Sequence, residues 1–407
     1  MIELPDHFFE DIWQQQPCVL RNATNWRPAI GPDELAGIAC EEDGDARIIL
    51  ENLHIGSNQP ERWVLEHGPF TEQRFSHLPK SHWTLLVRQL EHWDDKVKEL
   101  LEEVPRLPRW RLEDVMASYA VDQGSVGPHY DFYDVFLVQG TGKRLWRVSG
   151  PCDHLTPRLD HENLLLLREL TPTAEYLLEP GDILYVPAGY AHWGIAQGDC
   201  MTFSVGFRAP SISEAFSELG ELMSLDPTAQ ARRLPDTPEI ILNESSGVSN
   251  DKYELKTSSV THARQWLMSQ LDDLIVAQWL GRHVTLSASS DEFHESECQE
   301  EYSDAKLQEI TCFDKWSELR MFWHQHKSKS YLFCSGQCLT GQFSSKLLEA
   351  VCMAQTIDLE AKAFEPLEDT LIIVRWLLSL NAVQIDPCCD GIEADEQPNA
   401  VRRSPSD

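Results

Sequence analysis

Basic residues are scarce: across 407 residues, 34 Lys and Arg stand against 66 Asp and Glu, a formal net charge of −32 with His neutral. Such a chain lacks the cationic surface that a phosphate backbone requires, which argues against direct nucleic-acid binding. The excess of acid suits a basic partner, whose encounter a complementary field speeds, and it equally serves plain solubility. No apolar run approaches the roughly 20 residues needed to span a bilayer. The opening residues, MIELPDHFFEDIWQQQPCVLRNA, show no basic-then-apolar leader pattern. Phosphate loop, nucleophile elbow and dinucleotide fingerprint are all missing. A disulfide framework is missing too, because the eleven cysteines are odd in number and scattered from Cys18 to Cys389. They read as reduced thiols, and the chain is expected to be cytoplasmic, with no membrane association.

What is present suggests two or three domains. Residues 1–210 carry short runs rich in Val, Ile, Tyr, Phe and Trp, among them VMASYAV, YDVFLVQ, RLWRVSG, DILYVPAG and MTFSVGFRAP. Short strands between turn residues predict an antiparallel sandwich or barrel. Gly140-Thr141-Gly142 reads as a hairpin connection, and residues 82–104 show helical spacing of apolar side chains. After Pro210 the pattern turns helical. Residues 211–225 begin with a Ser cap and 259–284 read as one long amphipathic helix, so 211–286 is expected to be a helical dimerisation region, with packing inside the chain as the alternative. Between them lies a polar excursion near 227–258. Residues 287–304 hold seven acidic residues and no Lys or Arg, an acidic linker. A last globular piece, 305–386, contains two helix-like stretches (DKWSELRMFWHQH and GQFSSKLLEAVCMA), a hairpin-like KSYLFCSGQCLT and a late helix. A polar tail, 387–407, is expected to be disordered.

The chemistry concentrates in VGPHYDFYDVFLVQGTGKRLWRV, residues 126–148. His129 and Asp131 are spaced to share one face of a strand. With His192 from VPAGYAHWG they would form the facial triad of a non-haem Fe(II) oxygenase, two imidazoles and one carboxylate. The three remaining positions of an octahedral ion suit a bidentate oxo-acid and molecular oxygen. Arg144 offers paired donors for the distant carboxylate of 2-oxoglutarate and is a better anchor than Lys143, and Ser118 is a plausible hydroxyl donor to the same group. Taken alone, a His-x-Asp is more often a polar surface or core pair, Arg144 could be an exposed strand cation and Ser118 is unspecific; the later Pro-Gly-Asp strand ending in His192 and the basic segment after GTG favour the metal reading. His324, His326, Cys334 and Cys338 offer a looser alternative, a zinc site. Cys388-Cys389 reads as incidental.

GPHYDFYDVFLVQGTGKRLWRV, LEPGDILYVPAGYAHWG and FSVGFRAP, with DIWQQQPCVLRNA, GPDELAGIA, LEHGPF and WRLEDVMASYAV, resemble the bacterial JmjC-type ribosomal oxygenases over most of residues 1–210. The resemblance implies a double-stranded β-helix (jelly-roll, cupin-like) catalytic domain, a helical dimerisation region and a winged-helix-like C-terminal domain, a mixed α and β chain. It implies an Fe(II)- and 2-oxoglutarate-dependent hydroxylase acting on the β-carbon of an arginine in the sixteenth large-subunit ribosomal protein. It further implies that His129, Asp131 and His192 bind iron, that Ser118 and Arg144 bind 2-oxoglutarate, and that the protein works as a homodimer on a basic ribosomal substrate. Tyr133 and Asp134 would face that substrate. Competing readings are a related hydroxylase acting on a histidine or another residue of a ribosomal protein, and a non-catalytic cupin-like binder.

Overall fold

The computed structural model describes residues 2–104, 107–238, 255–286, 310–316 and 318–385. The chain divides into two compact units, Met1–Ala209 and Pro210–Asp407. The acidic linker at 287–304 and the tail at 387–407 lie outside the described residues.

The first unit is built on nine strands: β1 (Cys18–Leu20), β2 (Ala46–Glu51), β3 (Trp63–His67), β4 (Trp83–Val87), β5 (Leu112–Ala120), β6 (Asp134–Pro151), β7 (Ala174–Leu178), β8 (Ile183–Val186) and β9 (Tyr190–Phe207). They pair in the order β1-β8-β6-β9-β5-β4-β2-β3, with β7 added to β6, and every pair is antiparallel. This is the expected jelly-roll class. Alternation along the strands separates two environments. Leu85, Val87, Val115, Ala117, Phe136, Val138, Phe203, Val205 and Phe207 join one core with Phe8, Trp26, Leu35, Val97 and Leu100. The other face carries Leu86, Met116, Leu137 and Trp146, together with Ser118, Arg144 and His192, whose polar groups make the site.

Two expectations fail here. Residues 82–104 are not one helix: β4 comes first, then a 3-10 turn Leu90–His92, and only Asp95–Glu103 is α-helical, capped by Asp94, whose side chain accepts from Val97 N. β4 is buried on both faces, so its run Trp-Thr-Leu-Leu-Val has no period of two and mimics helical spacing. Nor is Gly140-Thr141-Gly142 a hairpin turn. It is a corner inside the single strand β6, which stays paired with β9 on both sides. Thr141 pairs with Met201 and Lys143 with Gln197, so Gly142 alone opposes Gly198–Cys200. Gly142 sits at φ +63°, and a Cβ there would lie 2.1 Å from Asp199 O. Glycine is required for this bend.

In the second unit, helix Ile212–Ser224 carries a capping box between Ser211 and Glu214. The polar excursion opens with a short helix, Pro227–Ala231, and its residues 239–254 fall outside the described residues. The expected 259–284 helix is two helices, Thr257–Ser269 and Asp273–Thr285. The break falls where Asp272 caps a new start by accepting from Ile275 N at 2.9 Å. Trp279 Nε1 and His283 Nδ1 both bind the Glu218 carboxylate of the first helix, at 2.8 and 2.9 Å. DKWSELRMFWHQH does not form the expected helix: its two ends fall in β10 (Cys312–Lys315) and β11 (Met321–His326). Its aromatic residues favour the pleated surface on which they lie. β11 pairs with the hairpin of β12 (Lys329–Cys334) and β13 (Gln337–Gly341). β10 pairs with β14 (Thr356–Asp358) and β15 (Val383–Ile385). Helices Ser345–Met353 and Leu367–Ser379 close the core through Leu347, Leu348, Val351, Ile373, Val374 and Leu377.

No helix among the described residues is long and apolar enough to cross a membrane. The eight described cysteines are free thiols.

Candidate metal centre

His129 and His192 face each other across an isolated antiparallel bridge. Each backbone N–H donates to the other residue's carbonyl, at 3.1 and 2.8 Å, and the ring centroids stand 4.3 Å apart. In both, Nδ1–H donates to a carbonyl two residues earlier, Gly127 O at 2.9 Å and Tyr190 O at 3.1 Å. That fixes the tautomer and leaves each Nε2 with its lone pair. Asp131 supplies the third donor, with Oδ2 3.9 Å from His129 Nε2 and 3.6 Å from His192 Nε2. The three donor atoms lie within 4.8 Å of one another. Burial, then the neighbouring His129, push the His192 pKa down to about 4, so the ring is neutral at physiological pH, as a ligand must be. The cluster is sealed on the His192 side and partly open at His129 and Asp131.

One buried hydroxyl holds both histidine segments. Ser125 Oγ accepts from Gly127 N–H at 3.0 Å and from Trp193 Nε1–H at 2.7 Å. It thereby fixes the carbonyl that orients His129 and the residue that follows His192. Gly127 itself has φ +82°, and a Cβ there would meet Leu166 Cδ2 at 2.7 Å. Ser125→Ala is expected to lower the affinity of the full chain for Co(II) about tenfold in a direct titration, the usual cost of losing an outer-shell partner. Unchanged affinity would remove Ser125 from this role.

Arg144 and Ser118 come together on the same inner face. Arg144 Nη1 donates to Ser118 Oγ at 2.8 Å, and Ser118 Oγ donates to Thr202 O at 3.3 Å. Arg144 is only 4 % exposed, yet its Nε and Nη2 have no acceptor among the described residues. Burying a cation with two donors unmet costs several kcal/mol, about what a bound carboxylate would restore. Lys143, by contrast, is exposed and paired with Glu179 at 2.5 Å.

Of the two residues expected to face a substrate, only Tyr133 borders the metal cluster. Burial and then the Asp131 charge push its hydroxyl pKa up, and Arg208 lies 5.6 Å over its ring. Asp134 is buried and committed elsewhere, accepting from Tyr185 OH at 2.8 Å, Arg111 Nη2 at 3.0 Å and Gln14 Nε2 at 3.1 Å. The alternative zinc site does not form. Cys338 pairs across the hairpin with Phe333, the neighbour of Cys334, so the two thiols point to opposite faces. Among the described residues, the group able to hold a metal is His129, Asp131 and His192.

Residues 99–215 match the JmjC domain. The chain is 38% identical over 272 residues to the ribosomal protein uL16 3-hydroxylase of Escherichia coli K12, covering 64% of this chain and 69% of that protein. This chain belongs to the JmjC ribosomal oxygenases. A probable ribosomal oxygenase of Haemophilus influenzae is 37% identical over 214 residues, about half of each chain. The solved structure of the Escherichia coli ribosomal oxygenase YcfD superposes with a TM-score of 0.71 at 27% identity, covering 95% of this chain and 99% of that one. YcfD has also been solved in complex with cobalt and 2-oxoglutarate, with the same TM-score and coverage. A JmjC oxygenase uses Fe(II), 2-oxoglutarate and molecular oxygen, and the residues of this ribosomal oxygenase fit that set on two counts. The donors are two Nε2 lone pairs and a carboxylate, and the buried Arg144 guanidinium has two donors without an acceptor among the described residues.

Proposed function

We propose that this ribosomal oxygenase hydroxylates the β-carbon of an arginine in the ribosomal protein uL16, releasing succinate and carbon dioxide. The observation that carries the reading is the buried Arg144 guanidinium, whose Nε and Nη2 have no acceptor among the described residues, on the face that bears the His129–Asp131–His192 donor set. In this reading His129, Asp131 and His192 hold Fe(II), while Arg144 and Ser118 hold the distant carboxylate of 2-oxoglutarate. Iron bound there supplies the activation of dioxygen that couples decarboxylation of 2-oxoglutarate to hydroxylation. The protein's own residues fix geometry: the Gly127 and Tyr190 carbonyls hold the imidazoles, Asp131 contributes a negative charge, and the apolar wall of Leu137, Leu184 and Trp146 excludes water. The partly open side at His129 and Asp131, beside Tyr133, is where a substrate side chain would enter.

The acidic balance of the chain suits a basic ribosomal substrate. Residues 211–286 are assigned to homodimerisation. The helices Ile212–Ser224 and Thr257–Ser269 leave Ile212, Phe216, Val260, Leu267 and Met268 exposed, an apolar face that a second copy would cover. Residues 305–386 are assigned as a winged-helix-like domain, with β12 and β13 as its wing, and the protein as cytoplasmic.

Mass spectrometry of ribosomal proteins from cells with and without this gene tests the substrate. The expected result is one oxygen atom missing from one arginine of uL16 when the gene is absent. Loss of oxygen from a histidine would redirect the assignment to that residue, and no change in any ribosomal protein would contradict it.

A further inference from the structure

Three of the buried side-chain atoms that lack a partner among the described residues belong to two residues on one strand: Arg144 Nε, Arg144 Nη2 and Trp146 Nε1. Arg144, Trp146 and Val148 alternate along β6 and so share a face. Their partners on β9 are Ala196, Gly194 and His192. The Trp146–Gly194 pair is therefore the rung between the cation at one end and a metal-site histidine at the other. Distances agree, since the Trp146 ring lies 5.8 Å from the His192 ring and 5.9 Å from Arg144 Cζ. A cosubstrate that joins the metal to Arg144 must run along this rung. Gly194 makes room for the indole at this rung, because a Cβ there would stand 2.7 Å from Trp146 Cη2 and 3.0 Å from Arg144 Cδ. An indole N–H buried without an acceptor is costly, and tryptophan in a core ordinarily has one.

We propose that Trp146 is a cosubstrate-binding residue, its indole forming the floor under bound 2-oxoglutarate and its N–H donating to an oxygen of that molecule. This rests on the reading of the site as a 2-oxoglutarate site. The N–H then meets an anionic acceptor in the loaded protein, and the rung gains a directional contact between the two ends of the cosubstrate.

The test is equilibrium binding of 2-oxoglutarate to the full chain loaded with Co(II), wild type against Trp146→Phe, which keeps an aromatic floor and removes the donor. Co(II) affinity without cosubstrate is measured alongside. The expected result is about a tenfold weaker affinity for 2-oxoglutarate with unchanged Co(II) affinity, the cost of one hydrogen bond to a charged acceptor. Gly194→Ala, which pushes on the same indole, is expected to weaken 2-oxoglutarate in the same direction. Unchanged 2-oxoglutarate affinity in Trp146→Phe overturns the proposal, as does an equal loss of Co(II) affinity, which would make Trp146 a packing residue for His192. Failure of the wild-type protein to bind 2-oxoglutarate would overturn the underlying reading instead.

Discussion

His129→Ala is expected to reduce iron-dependent turnover to background while the chain keeps its fold. The side chain is one of three donors, and removing it leaves His192 Nε2 and Asp131, too few to hold a divalent ion firmly at an open site. The substitution should spare the fold because the pairing of this segment is made by backbone. His129 N and O both bond to His192, and Leu167 N donates to Pro128 O at 2.8 Å, none of which needs the imidazole. The ring is also partly exposed, so its loss opens no deep cavity. Turnover is followed as succinate formed from 2-oxoglutarate, and folding by thermal unfolding of the metal-free protein. Full activity in this variant would remove His129 from the metal site.

Arg144→Met should weaken 2-oxoglutarate by about a hundredfold or more, from the loss of two charge-assisted hydrogen bonds of about 1.5–3 kcal/mol each. The same substitution carries a second, opposite expectation. In the free protein the guanidinium is buried, with Nη1 on Ser118 Oγ and two donors unmet among the described residues. Replacing such a cation by an apolar chain of similar length is neutral or stabilising. Metal-free Arg144→Met is therefore expected to unfold at the same temperature as the wild type or higher, although its cosubstrate affinity collapses. An ordinary structural arginine would lower both. The pair of measurements, 2-oxoglutarate binding and thermal unfolding, separates a functional cation from a scaffold one, and wild-type cosubstrate affinity in the variant would move the anchor elsewhere.

The grouping of His129, Asp131 and His192 was legible in the sequence because its signals are local. His129 and Asp131 are two residues apart, and His192 follows a Pro-Gly-Asp turn and an apolar strand. Guanidinium chemistry set Arg144 above Lys143, and the structure buries Arg144 and puts Lys143 outside with Glu179. The GTG segment misled for a physical reason. Glycines that make a hairpin and glycines that make a corner in a long strand look alike, and the difference lies in pairing with β9, some sixty residues away. β4 misled because both its faces are buried, which erases the alternation that marks a strand. Asp134 looked as available as Tyr133, since nothing in the sequence announces Tyr185, Gln14 and Arg111 as its partners. The place of Ser125 between the two histidine segments and of Trp146 between Arg144 and His192 was illegible for the same reason: both arise from tertiary neighbours, and neither residue type is distinctive alone.

The most direct measurement is the stoichiometry of the purified chain with Fe(II), 2-oxoglutarate, oxygen and a uL16 fragment. The expected result is one succinate formed for each oxygen atom gained by one arginine of the fragment, with both products lost in His129→Ala. Succinate formation that does not depend on the fragment, or oxygen gained without 2-oxoglutarate, would contradict it.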